Sequence, residues 1–104
     1  MTTPRSIMQE VSPKLAELTV DMLFGDIWER PELSKRDRSL ITVANLVALY
    51  RTDQLRGHIG RALDNGVTKS EISAVILHTT MYGGWPVGAN AAHVAKEVFD
   101  ERGI

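Results

Sequence analysis

The feature that most constrains this chain is a corner written into a few residues: Asn65-Gly66 ends one helix, and Thr68 with Glu71 opens the next. A glycine suits the left-handed position just past a helix end, and threonine followed three residues later by glutamate is the spacing of a capping box. Two helices must therefore meet at a tight bend. In the first of them Leu55, Ile59, Ala62 and Leu63 fall at the i, i+4, i+7 and i+8 positions of one face, with His58 among them. An ionisable ring is turned toward the core.

The rest of the chain reads as further helices. Ser12 at an N-cap and Pro13 at the first helical position open one that runs to about Phe24, with Gly25 as its stop and Leu15, Leu18, Met22 and Leu23 as its buried stripe. A connector follows, whose Trp28 is expected to pack down on the domain. Ser34 and Asp37 repeat the capping logic and begin a helix to about Arg51 that is apolar on almost every side between Leu40 and Tyr50. Such a helix must be surrounded, and a domain of 104 residues can hardly wrap one completely, so the pattern predicts that another copy of the chain covers part of it. After a break at Thr52-Asp53 comes the His58 helix. The next runs from about Lys69 to Tyr82, with one buried face of Ile72, Val75, Ile76 and Thr79 and a second of Ala74, His78, Met81 and Tyr82. Gly83-Gly84-Trp85-Pro86 interrupts it, since paired glycines weaken a helix and the residue before proline is pushed from helical geometry. The final helix, from Pro86 to about Glu101, buries Val87, Ala91, Val94, Ala95, Val98 and Phe99 and leaves Asn90, His93, Glu97 and Asp100 wet. No period-2 strand and no repeat stands out. The expected fold class is all-α, in one domain over residues 1–104.

Composition removes several functions. A net charge of -1 with 24% charged residues offers no basic face for nucleic acid. There is no cysteine, which excludes disulfides, thiolate metal sites and thiol redox chemistry within the chain. His58, His78 and His93 lie on different expected helices without the paired spacing of a ligand set, so no metal is expected. The N-terminal stretch is polar and no run approaches the roughly 18 apolar residues of a membrane span, which makes the cytoplasm the expected location and excludes a membrane partner.

Leu33-Ser-Lys-Arg-Asp-Arg38, the run from His58 to Thr68, Glu71-Ile72, and then His78, Tyr82, Gly84 and Pro86 resemble the carboxymuconolactone decarboxylase family from about Leu33 to Phe99. The same superfamily includes the alkylhydroperoxidase AhpD, whose Cys-x-x-Cys-x-x-x-His signature, set on His58, would place cysteines at Arg51 and Gln54. Neither is a thiol, so peroxidase or disulfide-reductase activity is the reading least compatible with the chain. The family usually carries a glutamate after Arg-Asp-Arg, where this chain has Ser39. The resemblance implies an AhpD-like domain of five to six helices, assembled as a homotrimer or homohexamer with pockets near subunit contacts. It also implies cofactor-free removal of CO2 from a small carboxylated lactone of aromatic catabolism.

That reaction sends the electron pair of the broken C–C bond through a butenolide ring onto the lactone carbonyl. A site must hold a dianion, donate hydrogen bonds to that oxygen and return a proton to carbon. Arg51 suits the first task, because its fork matches a carboxylate, and it precedes Gln54 by about one helical turn and His58 by about two. Gln54 would be a neutral donor and His58, with an ordinary pKa of about 6.5, a general acid. His78, Tyr82 and Trp85 rank next, as wall or donor groups reaching a neighbouring subunit's pocket. Each has a plainer reading. His58 can be a hydrogen-bonded core residue, Arg51 can neutralise a helix dipole, Gln54 can be surface, and Tyr82 and Trp85 can fill an interface. A non-catalytic oligomeric protein that binds a small carboxylate or lactone is the alternative for the whole chain.

Overall fold

The computed structural model describes residues 4–104, and all regular structure among them is helical. The chain forms two compact units, one ending at Leu33 and one running from Ser34 to Ile104.

The first unit holds helices α1 (Pro4–Val11) and α2 (Pro13–Leu18), the latter continuing into a π-helical segment, Thr19–Phe24, before a 3-10 turn at Ile27–Glu29. Pro13 stands at the start of α2 as expected, but the Ser12 side chain makes no capping bond, and α1 was not anticipated. The wide turn is marked by the Gly25 amide reaching back five residues to the Val20 carbonyl at 2.8 Å. A methyl group at Gly25 would lie 2.8 Å from the carbonyl oxygens of both Val20 and Asp21, so this closure requires glycine. Bonding to i−5 takes more residues per turn than an α-helix, so the π segment moves Met22 and Leu23 off the face that Leu15 and Leu18 share on α2. The expected buried stripe does not form. Leu15, Leu18, Met22 and Leu23 are all exposed, and among the described residues of this unit only Ala16 and Trp28 are buried, with the Trp28 ring centred 6.0 Å from that of Phe24.

The second unit is a four-helix arrangement of α3 (Lys35–Ala48), α4 (Thr52–Asp64), α5 (Lys69–Gly83) and α6 (Trp85–Arg102). α3 packs on α4 and α5, and α6 closes the group by packing on the same two. Val43 and Val47 from α3, Leu55, Ile59 and Ala62 from α4, Ile72 from α5 and Ala91, Val94, Ala95 and Val98 from α6 meet in one core. Each large side chain there contributes about 1.5–3 kcal/mol by leaving water. The starts of α3 and α5 follow their sequence signals. Ser34 Oγ accepts from the Asp37 amide at 3.0 Å, and Thr68 and Glu71 make both bonds of the capping box, at 3.0 and 3.1 Å.

The helix ends are more informative. After α4 the Val67 amide bonds the Ala62 carbonyl and the Gly66 amide bonds that of Leu63, with Gly66 at φ 96°. After α6 the same pair of bonds forms around Gly103 at φ 69°. After α3 it forms around Tyr50, at φ 61° the only non-glycine residue with positive φ among those described, with Arg51 bonding Leu46 and Tyr50 bonding Val47. This turn corrects two expectations. α3 stops at Ala48 instead of about Arg51, and Thr52-Asp53 is the first turn of α4 instead of a break.

Side chains tie the helices across the core. Arg36 pairs with Glu71 and Arg56 with Glu97, while Arg102 donates to Asp64 at 2.8 Å and to the Gly60 carbonyl at 3.0 Å. The bond from Arg102 holds the Asp64 carboxyl below its ordinary range. α5 and α6 approach closely at Gly88, where a methyl group would fall 1.8 Å from Thr80 Oγ1. Not every apolar side chain finds cover. Ile41, Leu49, Tyr50, Leu77, Met81, Tyr82 and Trp85 are exposed in the single chain. The expected second buried face of α5 is therefore open, since Ala74, His78, Met81 and Tyr82 all point outward. α3 likewise buries a stripe of Ser39, Val43 and Val47, not its whole circumference.

Candidate active site

α4 is set between two backbone-bonded turns, and its buried strip of Leu55, Ile59 and Ala62 fixes its rotation. His58 lies at the edge of that strip and is half-buried, as its place among apolar residues predicts. At about 100° per residue, Gln54 and His58 lie about 40° apart on one side of α4, and Arg51 is the residue that precedes the helix. Arg51 and Gln54 are exposed. Burial pushes the His58 ring below its ordinary pKa, and the positive charge of Arg61, three residues along the helix, pushes the same way. The imidazole is thus neutral at pH 7. By sequence Arg61 reads as a solvated charge or an inter-subunit pair, and its i+3 spacing from His58 is the signal for this electrostatic effect.

Arg51 is the N-cap of α4 and follows the turn that ends α3. The negative end of one helix dipole and the positive end of the next meet there, which leaves little for a cation to neutralise. Its exposed guanidinium is open to a ligand. Ser39 accounts for the absent carboxylate in a different way: it is 1% exposed and accepts a 3.0 Å bond from the Asn65 amide at the end of α4. Glu71 is engaged by the capping box and Arg36, while Asp53 is exposed in the first turn of α4.

His78 and Tyr82, one turn apart on α5, are exposed with ring centroids 5.1 Å apart, and Trp85 is exposed at the start of α6 beyond Gly84 at φ 107°. The structure brings His78 and Tyr82 together as a pair. Two cavities open in this unit, one of about 380 Å³ between α5 and α6 and one of about 570 Å³ between α4 and α6. None of Arg51, Gln54, His58, His78, Tyr82 or Trp85 lines either of them. No group of three or more His, Asp or Glu among the described residues is placed to hold a metal ion, and no described helix is long and apolar enough to cross a membrane.

Residues 13–97 match the carboxymuconolactone decarboxylase family, and the chain belongs to it. The match starts well before Leu33 and so takes in much of the first unit. Among its relatives is the 4-carboxymuconolactone decarboxylase of Acinetobacter baylyi, 47% identical over 81 residues that make up 78% of this chain and 60% of that protein. The nitrosuccinic acid decarboxylase of Metarhizium robertsii is 32% identical over 85 residues, 82% of this chain and 59% of that protein. An uncharacterized 15.0 kDa protein of Paracoccus denitrificans is 30% identical over 96 residues, 90% and 72% of the two. The chain spans about 60% of the length of each of the two named decarboxylases.

Proposed function

We propose that the chain is a cofactor-independent carboxy-lyase acting on a small carboxylated lactone, in the manner of the 4-carboxymuconolactone decarboxylase to which it is similar. The observation that carries the reading is a half-buried, neutral imidazole on α4, one turn after an exposed amide and two turns after an exposed arginine at the helix start, in a chain related to two named decarboxylases. Arg51 grips one carboxylate of the substrate. The other leaves as CO2, its bonding pair moves through the ring to the lactone carbonyl oxygen, and the Gln54 amide donates to that oxygen. His58 then delivers a proton to carbon, and the enol-lactone departs.

The lowered pKa of free His58 serves this cycle. A bound dianion offsets the burial and the nearby Arg61, so the ring takes up a proton as substrate arrives and holds it beside the carbon that needs it. The exposed apolar residues of α3, α5 and the start of α6 fit a surface covered by another copy, which would wall the pocket with its own His78, Tyr82 and Trp85. A homotrimer or homohexamer is the assembly in this reading.

The test is purified protein with γ-carboxymuconolactone, followed by loss of ultraviolet absorbance. Turnover is expected in the wild type, with a fall of about 10²- to 10⁴-fold in kcat for His58→Ala. For Arg51→Ala the expected change is mainly a rise in KM. An inert wild type sinks the reading. A second reading has its own support: with Ser39 buried and bonded to Asn65, no carboxylate stands where the family usually has one. A non-catalytic binding protein would be stabilised by small carboxylates in a thermal-shift screen and show no turnover on long incubation.

A further inference from the structure

The cavity between α5 and α6 lies apart from the proposed catalytic groups, and its chemistry is specific. Its floor is apolar, made by half-buried Ile76 and Phe99 and buried Ala95, and its volume of about 380 Å³ suits a ligand of one ring. Two ammonium groups stand at its mouth. Lys96 is bonded to Asp100 at 2.7 Å, so those two charges cancel. Lys69 has no carboxylate partner among the described residues. Its Nζ lies 5.2 Å from the centroid of the Phe99 ring, held over the face of the floor by cation–π attraction. Exposed Ser73 adds a hydroxyl on the same rim. An uncompensated cation above an aromatic and aliphatic floor is complementary to a ligand with one negative charge and an apolar body.

We propose that this cavity is a second binding site, for a small apolar monocarboxylate whose body rests on Ile76, Ala95 and Phe99 and whose carboxylate pairs with Lys69. The site does not depend on the decarboxylase reading, because none of its residues belongs to the proposed catalytic set. With few atoms in contact and an open mouth, affinity on the order of 1 mM is expected.

Isothermal titration of the whole chain with benzoate tests it, with neutral benzamide and body-less acetate as comparisons. Benzoate is expected to bind, with benzamide and acetate each weaker by about tenfold. Lys69→Met keeps the stem and removes the charge, and Ser73→Leu fills the mouth. Both positions are exposed, so both variants should fold, which circular dichroism checks. Each is expected to weaken benzoate about tenfold, while His58→Ala leaves it unchanged. The proposal is overturned by absence of benzoate binding up to about 10 mM, by equal binding of benzamide, or by indifference to both Lys69→Met and Ser73→Leu. Loss of binding in His58→Ala would overturn it too, by moving the carboxylate to the α4 site.

Discussion

Tyr50 holds the left-handed conformation that the two equivalent turns give to Gly66 and Gly103. A side chain there costs about 1–2 kcal/mol, and glycine returns part of the difference through its freer unfolded chain, about 0.5–1 kcal/mol. With Tyr50 54% exposed, little packing offsets the strain. Tyr50→Gly is therefore expected to raise stability by about 0.5–1 kcal/mol in urea denaturation, and a loss would show that the ring makes contacts absent from the single chain. His58 sets a pH dependence. Its folded pKa lies below 6.5, so between the two values the unfolded chain binds a proton that the native chain does not. Stability is thus whole above pH 6.5, falls on acidification through that window, and levels off below the folded pKa. His58→Gln should remove this limb and leave the separate loss at lower pH, where Asp64 gives up its bond from Arg102. The place of His58 was legible because an apolar strip brackets it. The burial of Ser39 was not, since its partner Asn65 lies 26 positions away and no local pattern links them.

Among the elements, those that begin with a cap could be read directly, because Ser34 with Asp37 and Thr68 with Glu71 bond within a single turn. Thr68→Ala should cost about 1 kcal/mol by freeing the Glu71 amide at the start of α5, measured as a shift in the urea midpoint. The end of α3 was hidden, because a tyrosine in the left-handed position carries none of the signal that glycine gives. The π segment after α2 was hidden as well: its apolar residues fit an α-helical stripe that the wider turn then disperses. The α5–α6 crossing makes the sharpest prediction at this scale. Gly88→Ala drives a methyl group into Thr80 Oγ1, whose hydroxyl is fixed on the Ile76 carbonyl at 2.7 Å. Separating the helices should cost about 1–3 kcal/mol, and the paired change with Thr80→Ala should recover part of it.

For the whole molecule, the apolar run of α3 predicts cover beyond one chain's core, but a period carries no information about what supplies it, and the second face expected to be buried on α5 is exposed in the single chain. Leu77, 64% exposed, and Tyr82, 84% exposed, mark the surface concerned. Light scattering behind size exclusion should find an oligomer. Leu77→Asp, which removes no packing from the core of the single chain, should shift it to smaller species, and a wild type that runs as a monomer at micromolar concentration would refute the shared surface. The rod that carries His58 is bolted by reverse turns at both ends, around Tyr50 and around Gly66. Such a mounting leaves divergence little room to slide the imidazole. If the proposed role of His58 holds, new specificity in this lineage comes from altering the groups opposite it, and homologues that handle unlike acids should superpose along α4 and differ across from it.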